Sequence, residues 1–220
     1  MIVAYFRGDF ESMTFPANEA GLEFADPVRF RVEFERAIAV MSATDSPPEL
    51  TVDWLDSPVG PLLIGASQTA LCLLEFCALE GLDAQCERLQ RRLGRQGVRA
   101  RSPILDAARA QLSEYFAGTR RSFDLPCCVS GSGFQERVWA ALRDIPYGTT
   151  CSYGDIAHRL GDKHAMRAVG AANAANPIAI VIPCHRVVNA SGDLGGFGGG
   201  ARRKQILLDL EHGQRGLFGA

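Results

Sequence analysis

The sequence predicts an α/β chain of the α+β kind, with a small sheet-and-helix unit followed by a helical unit. Three observations lead there. Residues 50–76 carry three short apolar runs separated by turn residues, the pattern of short strands. From Gly133 onward, apolar residues recur at helical spacing in short segments punctuated by glycine and proline. The chain has 220 residues, of which 47% are apolar and 22% charged. That is enough for one large or two small domains, and it excludes a mostly disordered chain.

Residues 1–49 form an N-terminal extension to which the sequence assigns no chemistry. Ile2–Phe6 reads as a strand, and Val28, Phe30, Val32 and Phe34 alternate with Arg29, Arg31 and Glu33 as in a half-buried strand. Asp45-Ser46-Pro47-Pro48 marks a linker. The second region, 50–128, opens with strands at Leu50–Leu55, Leu62–Ala66 and Ala70–Phe76. Leu82, Cys86, Leu89 and Leu93 then fall at helical spacing, with Gly94 as a stop. Ser102-Pro103 pairs an N-cap with a first-turn proline, ahead of a helix carrying Leu105, Ala108, Leu112 and Phe116 on one face. Nothing in this region reads as catalytic.

Phe123–Gly133, with Pro126 and Ser130-Gly131-Ser132-Gly133, connects it to the third region, 131–220. There Phe134, Val138, Trp139 and Leu142 predict a helix ending before the turn Ile145-Pro146-Tyr147-Gly148. Ser152 and Asp155 have capping-box spacing at the start of a helix over Tyr153–Leu160. Gly161-Asp162 breaks that helix, and another runs from Lys163 to about Ala174. Two short helices across a tight turn are compatible with a helix-turn-helix unit.

Net charge is −2, distributed unevenly: 4 basic and 9 acidic residues in 1–50, 9 of each in 51–130, and 10 basic against 7 acidic in 131–220. A bulk-charge argument for nucleic-acid binding fails, although the C-terminal region has room for a local basic face. Seven cysteines, an odd number, argue against a disulfide scaffold, and their spacing does not suit zinc, so no metal is expected. No apolar run approaches the ~20 residues that span a bilayer. The N-terminus lacks the pattern of a signal peptide. The expectation is a soluble cytoplasmic protein without a membrane partner.

Chemistry concentrates in the third region. The helix after Gly161 places one long cation, Arg167, among the small residues Ala168, Gly170, Ala171 and Ala172, which permit close approach to a phosphate backbone or to another helix. Ile178–Ile182 reads as a continuous apolar strand, with Pro183-Cys184-His185-Arg186 at its end and the glycine-rich stretch Asn189–Gly200 beyond. A cysteine so placed suits thiolate attack, which requires an activating partner because a free thiol titrates near pH ~8.5. His185 is adjacent, and Glu211, at the end of the amphipathic helix Ala201–Leu210, is the best carboxylate to orient it. The bland alternative is an inert buried thiol beside a surface histidine. The glycine-rich stretch has neither Walker nor Rossmann spacing.

Pro183-Cys184-His185-Arg186-Val187-Val188 resembles the signature of the methylated-DNA–protein-cysteine methyltransferases, also called O6-alkylguanine-DNA alkyltransferases. Gly133-Phe134-Gln135 with Val138-Trp139, Ile145-Pro146-Tyr147-Gly148, Ser152-Tyr153, Arg167-Ala168-Val169-Gly170 and Asn176-Pro177 extend the likeness from about Leu50 to Gly213. The resemblance implies a small ribonuclease H-like N-terminal domain and a winged helix-turn-helix-like alkyltransferase domain. It implies a DNA repair protein that takes the alkyl group of O6-alkylguanine, and of O4-alkylthymine, irreversibly onto its own Cys184. Each molecule then reacts once, with no cofactor.

On that resemblance His185 activates Cys184 through a bound water, Glu211 completes the relay, and Asn176 pins the turn before the active-site strand. The recognition helix beginning near Lys163 enters the minor groove of double-stranded DNA. Arg167 fills the space left by the extruded guanine, since chemistry on a base requires taking it out of the stack. Tyr153 stands beside the nucleotide with its hydroxyl able to donate to the base or its phosphate. Monomeric action is also implied. Two positions depart from the family pattern. Phe197, in Gly196-Phe197-Gly198, stands where relatives commonly have tyrosine, which keeps a stacking face and loses a hydroxyl. Lys163 stands where bacterial relatives often have proline. The rivals are a non-enzymatic lesion-binding or regulatory DNA-binding protein, disfavoured because Cys184 is present, and a cysteine hydrolase, which leaves Arg167 without a role.

Overall fold

The structure is a computed structural model, and it describes residues 32–37, 50–77, 84, 85, 87, 88, 97, 98 and 100–213. Its first layer is a four-stranded sheet of β1 (Leu50–Leu55), β2 (Leu62–Ala66), β3 (Leu71–Phe76) and β4 (Gly97–Val98), in the order β3-β2-β1-β4. β1 and β3 flank β2 antiparallel, whereas β4 lies parallel to β1. β4, only two residues long, is a strand that no pattern in the sequence announces. Every residue of β2 is buried, as expected of a central strand covered on both faces. Leu62, Ile64 and Ala66 join the main core and Leu63 a smaller cluster behind the sheet.

That smaller cluster corrects the reading of Val28–Phe34 as a strand. Residues 32–37 are helical (α1). Phe34 and Ala37, three apart, are buried against Leu50, Val52, Leu63, Leu73 and Trp54, while Val32 is 62% exposed. A strand alternation would bury Val32 together with Phe34. The helical spacing wins because one aromatic anchor, 6.4 Å from the Trp54 ring, is enough to seat a single turn. Residues 28–31, Ile2–Phe6 and the 42–49 linker lie outside the described residues. Residues 84, 85, 87 and 88 are helical (α2), while Leu82, Cys86, Leu89, Leu93 and Gly94 of the expected helix also lie outside them.

α3 (Pro103–Phe116) covers the other sheet face. Ser102 caps it, its side chain accepting from Leu105 N, and Pro103 sits in the first turn. Its buried stripe is Leu105, Ala108, Leu112 and Tyr115, so the expected fourth member Phe116 is only half-buried. Arg109 on its flank ion-pairs with Asp53 of β1.

The helical unit comprises α4 (Gly133–Arg143), α5 (Tyr153–Arg159), α6 (Met166–Ala174) and α7 (Ala201–Glu211). Ser132 with Gln135, and Ser152 with Asp155, form reciprocal capping boxes at α4 and α5. Trp139 of α4 donates its indole N–H to Ala172 O of α6, at 2.9 Å, locking the two helices. A two-residue parallel ladder of β5 (Cys151–Ser152) with β6 (Val187–Val188) ties the start of α5 to the segment after Cys184. The main core runs without a break from Leu55, Leu62 and Leu112 into Val138, Trp139, Ile180 and Leu207. No helix among the described residues is long and apolar enough to cross a membrane.

Two expectations in this unit are corrected. The helix expected from Lys163 begins at Met166, because residues 162–165 form a turn in which Ala165 N bonds Asp162 O and His164 N bonds the Asp162 side chain. Ile178–Ile182 is not a strand. Only Ile178 bridges to β3, through Leu74, and the chain then turns, with Ile182 N bonding Ile178 O and Ile180 at φ 69°. The run is apolar because Ile178, Ile180 and Ile182 are fully buried, and burial alone does not distinguish strand from buried turn.

Candidate active site

Cys184 opens a 3-10 turn, Cys184–Arg186, whose three residues are all buried. Two asparagines hold the backbone around it. Asn176 Nδ2 donates to Ile182 O at 2.8 Å while its Oδ1 accepts from Ile178 N at 3.0 Å, which closes the 176–182 turn. Asn173 of α6 donates to Cys184 O at 3.3 Å. On the far side, Leu74 N donates to Pro177 O and Ala179 N to Leu74 O, so the sheet's edge strand β3 carries the loop that leads to the cysteine.

Glu211 is the hub of the site. Its Oε1 accepts from His185 Nε2 (2.8 Å), Arg186 Nη2 (2.9 Å) and Tyr115 OH (2.8 Å), and its Oε2 from Arg186 Nε (2.9 Å) and Gly148 N (3.1 Å). These donors overcome the desolvation of a fully buried side chain, and they hold its pKa down at about 2. A carboxylate at Oε1 makes Nε2 the protonated nitrogen of His185, which leaves Nδ1 as the acceptor. Nδ1 is buried and has no hydrogen-bond partner within the protein. Burial lowers the His185 pKa and raises that of Cys184, so both are neutral near pH 7. A hydrogen bond from Asn176 and the charge of Lys204 work the other way at Cys184, favouring its thiolate.

Three contributors were not read from the sequence. Tyr115 comes from α3, in a region where nothing looked catalytic, and a tyrosine on an apolar helix stripe carries no signal beyond core packing. Arg186 was quoted only within the motif, yet it clamps Glu211 with two nitrogens and donates to Ile145 O at 2.6 Å. Lys204 of α7 is fully buried, donates to Val187 O and Leu194 O, and titrates at about 8 because burial disfavours its charge. The sole hint was a lysine on the face of α7 shared with Leu207 and Leu208.

The remaining expected residues divide into two groups. Tyr153, Gly170, Phe197 and Gly198 lie where α5, α6 and the glycine-rich loop meet. Tyr153 packs against Gly170 and Gly195, and burial raises the pKa of its phenol. Its hydroxyl is not free, since it donates to Gly196 O at 3.1 Å and so ties the glycine-rich loop to α5. Phe197 lies beneath Lys204 and packs edge-to-face on Phe76 of β3, 5.4 Å away. A Cβ at Gly199 would come within 2.6 Å of Phe76 and 2.8 Å of Phe197, so glycine is what lets the loop sit between the two rings. A Cβ at Gly198 would make only ordinary contact, with Ala174 O. Arg203 fastens the same region, donating to Val59 O, Cys77 O and Gly199 O with its guanidinium over Phe76. Lys163, Arg167 and Ala168, by contrast, stand on the exposed surface and touch none of the relay. Among the described residues no group of three or more His, Cys, Asp or Glu is placed to hold a metal ion.

Comparison with known proteins accords with this geometry. Residues 51–127 match the 6-O-methylguanine DNA methyltransferase, ribonuclease-like domain, and residues 133–213 match the 6-O-methylguanine DNA methyltransferase, DNA binding domain. The methylated-DNA–protein-cysteine methyltransferase of Mycobacterium leprae is 44% identical over 160 residues, covering 73% of this chain and 91% of its own. The crystal structure of Mycobacterium tuberculosis OGT in complex with DNA superposes with a TM-score of 0.64 at 43% identity, covering 74% of this chain and 94% of that one. The O6-methylguanine-DNA methyltransferase of Pyrococcus kodakaraensis gives 0.55 at 26% identity, covering 74% and 98%. With both domains matched in order and a relative 44% identical over most of its length, the chain belongs to the 6-O-methylguanine DNA methyltransferase family.

Proposed function

We propose that Cys184 is the alkyl acceptor of a DNA repair protein, and that His185 and Glu211 are its proton relay. The protein transfers the alkyl group of O6-alkylguanine in DNA irreversibly to its own cysteine, as a member of this family does. The sulfur attacks the alkyl carbon in line, forming the S–C bond as the C–O6 bond breaks. The thiol proton passes to His185 Nδ1, directly or through water, and the departing guanine takes up a proton as its O6 becomes a carbonyl. The product is a thioether, which water does not cleave, so each molecule reacts once. The observation that carries this reading is the buried Cys184-His185-Arg186 turn docked on Glu211, with Nδ1 as the one acceptor of the relay not already engaged.

For DNA, α6 supplies the contact surface. Arg167, Ala168, Ala171 and Ala174 are exposed on it while Val169, Ala172 and Asn173 are buried. Small side chains let the helix approach a groove closely, and Arg167, the one cation of α6, is long enough to enter a base stack. We assign it to the minor groove, with Arg167 holding the space of the extruded guanine and Tyr153, Phe197 and Gly198 lining the pocket that receives the base. Lys163 contributes a phosphate contact ahead of the helix. Binding is local and salt-sensitive, and the protein acts as a cytoplasmic monomer.

The test is intact mass spectrometry with peptide mapping after incubation with a duplex containing one O6-methylguanine. One methyl group on Cys184, saturating at one per protein, is the expected result. Binding without a gain in mass favours the lesion-sensing alternative. Repair beyond one equivalent with unmodified Cys184 overturns the mechanism.

A further inference from the structure

Among the described residues two large apolar side chains are exposed, Val32 on α1 and Met166, at 52%, the first residue of α6. Met166 differs from Val32 in what lies around it. Met166, Gly170 and Asn173 are spaced i, i+4 and i+7 and share one side of the helix. Gly170 faces the Tyr153 ring, and Asn173 donates to Cys184 O. Met166 is thus the outer end of a strip that descends to the nucleophile. Its sulfur lies 3.5 Å from where a Cβ on Gly154 would stand, over the start of α5 and next to Tyr153. Arg167 follows it on the outer face. The exposed side chains nearest in sequence are Lys163, His164 and Arg167, with Asp162 the one acid among them.

An exposed thioether at the outer end of that strip, with Lys163 and Arg167 beside it in sequence, suits a partner that is apolar in its faces and anionic in its backbone. Nucleic acid has that combination, and minor-groove proteins insert apolar side chains, methionine among them, between base steps. We propose that Met166 is a second wedge, stacking on the base that flanks the lesion while Arg167 fills the vacated position. The soft, unbranched side chain adapts to whichever base lies there, so the contact adds affinity without reading sequence. Two side chains at adjacent positions then divide the work. Arg167 substitutes for the extruded guanine, and Met166 caps the neighbouring base whose stacking partner has gone. This assignment rests on α6 being the DNA-facing helix.

The experiment uses the full chain with Cys184→Ser, which holds the complex before transfer, and duplexes with 2-aminopurine beside O6-methylguanine. The parent should change the 2-aminopurine emission on binding. Met166→Ala should lose most of that change and bind the duplex about tenfold more weakly, a difference of about 1.4 kcal/mol. Met166→Leu should restore both, and the unfolding temperature should stay unchanged because the side chain is exposed. Emission and affinity within twofold of the parent in Met166→Ala would overturn the proposal, as would equal losses in Met166→Ala and Met166→Leu. Arg167→Ala is the control for the underlying reading. If it too binds and perturbs the duplex like the parent, α6 does not face the DNA, and that reading fails rather than the wedge alone.

Discussion

Replacing Glu211 with glutamine tests the relay more sharply than removing Cys184 does, because it changes one charge and almost no volume. The native carboxyl titrates at about 2 against an ordinary 4.5, and its side chain is fully buried. That gap of 2.5 units corresponds to about 3 kcal/mol of folding stability at neutral pH. The sign follows from the depression. The contribution is complete above the unfolded value near 4.5, and it is lost as pH falls towards 2. Glutamine also turns an N–H₂ group towards donors, either Arg186 Nε and Gly148 N or His185, Tyr115 and Arg186 Nη2. Breaking a buried ion pair from one side costs about 3–5 kcal/mol, which agrees with the linkage figure. Glu211→Gln should therefore lose about 3 kcal/mol in urea denaturation at pH 7, and its deficit relative to the parent should shrink below pH 4.5. Transfer from an O6-methylguanine duplex should slow by about 10²–10⁴-fold, the usual worth of a positioned general base. A variant within 1 kcal/mol of the parent and within threefold in rate would refute the relay as described.

The pH dependence of transfer follows from a raised Cys184 and a lowered His185. Thiol and imidazole are both neutral near pH 7, so the rate constant should be level from about pH 7 up to the loss of the Lys204 charge at about 8, and fall below the ordinary imidazole range as Nδ1 is protonated. A tenfold rise per pH unit across that plateau would mean a thiolate formed without His185. Gly199→Ala should push Phe197 off Phe76, because the new methyl would come within 2.8 Å of both rings. Overpacking of this kind costs about 1–3 kcal/mol, to be read as a lower unfolding temperature together with slower transfer, and a variant equal to the parent in both would sink the idea that Phe76 seats the loop.

How much of this was legible depended on whether a residue's signal is local. Ser102, Ser132 and Ser152 announce helix starts, because capping is a short-range hydrogen bond that needs particular side chains at fixed spacing. Cys184 and His185 are consecutive, and together with Asn176 and Glu211 they are singled out by the family resemblance, whereas Arg186 enters it only as part of the motif. The same windows misled at Val32–Phe34 and at Ile178–Ile182, where alternation or a continuous apolar run recorded burial and not backbone conformation. Tyr115 and Lys204 were invisible for a different reason. Tyr115 reaches Glu211 across 96 residues of chain, and Lys204 looks like any helix-surface lysine until the carbonyls of Val187 and Leu194 close around it.

These long-range contributors change the role of the first domain. It holds no nucleophile and no base, yet each part of the site leans on it. β3 carries the Ile178 loop through Leu74, α3 supplies the Tyr115 hydroxyl to Glu211, and Phe76 seats Phe197 while Arg203 binds the carbonyls of Val59 and Cys77. The chemistry requires this. A neutral imidazole and a neutral thiol are weak reactants, and their advantage lies in being held in line, with the acceptor nitrogen fixed by a carboxylate that cannot turn. Glu211 is the last residue of α7, where a helix end by itself would fray. Tyr115 and Gly148 pin its two oxygens from opposite sides of the chain, and only a packed partner domain can provide the first of these. Separating the domains would thus leave Glu211 its bonds to His185, Arg186 and Gly148 but take away Tyr115 and the β3 and Phe76 supports of the two loops, which the shared core keeps in place.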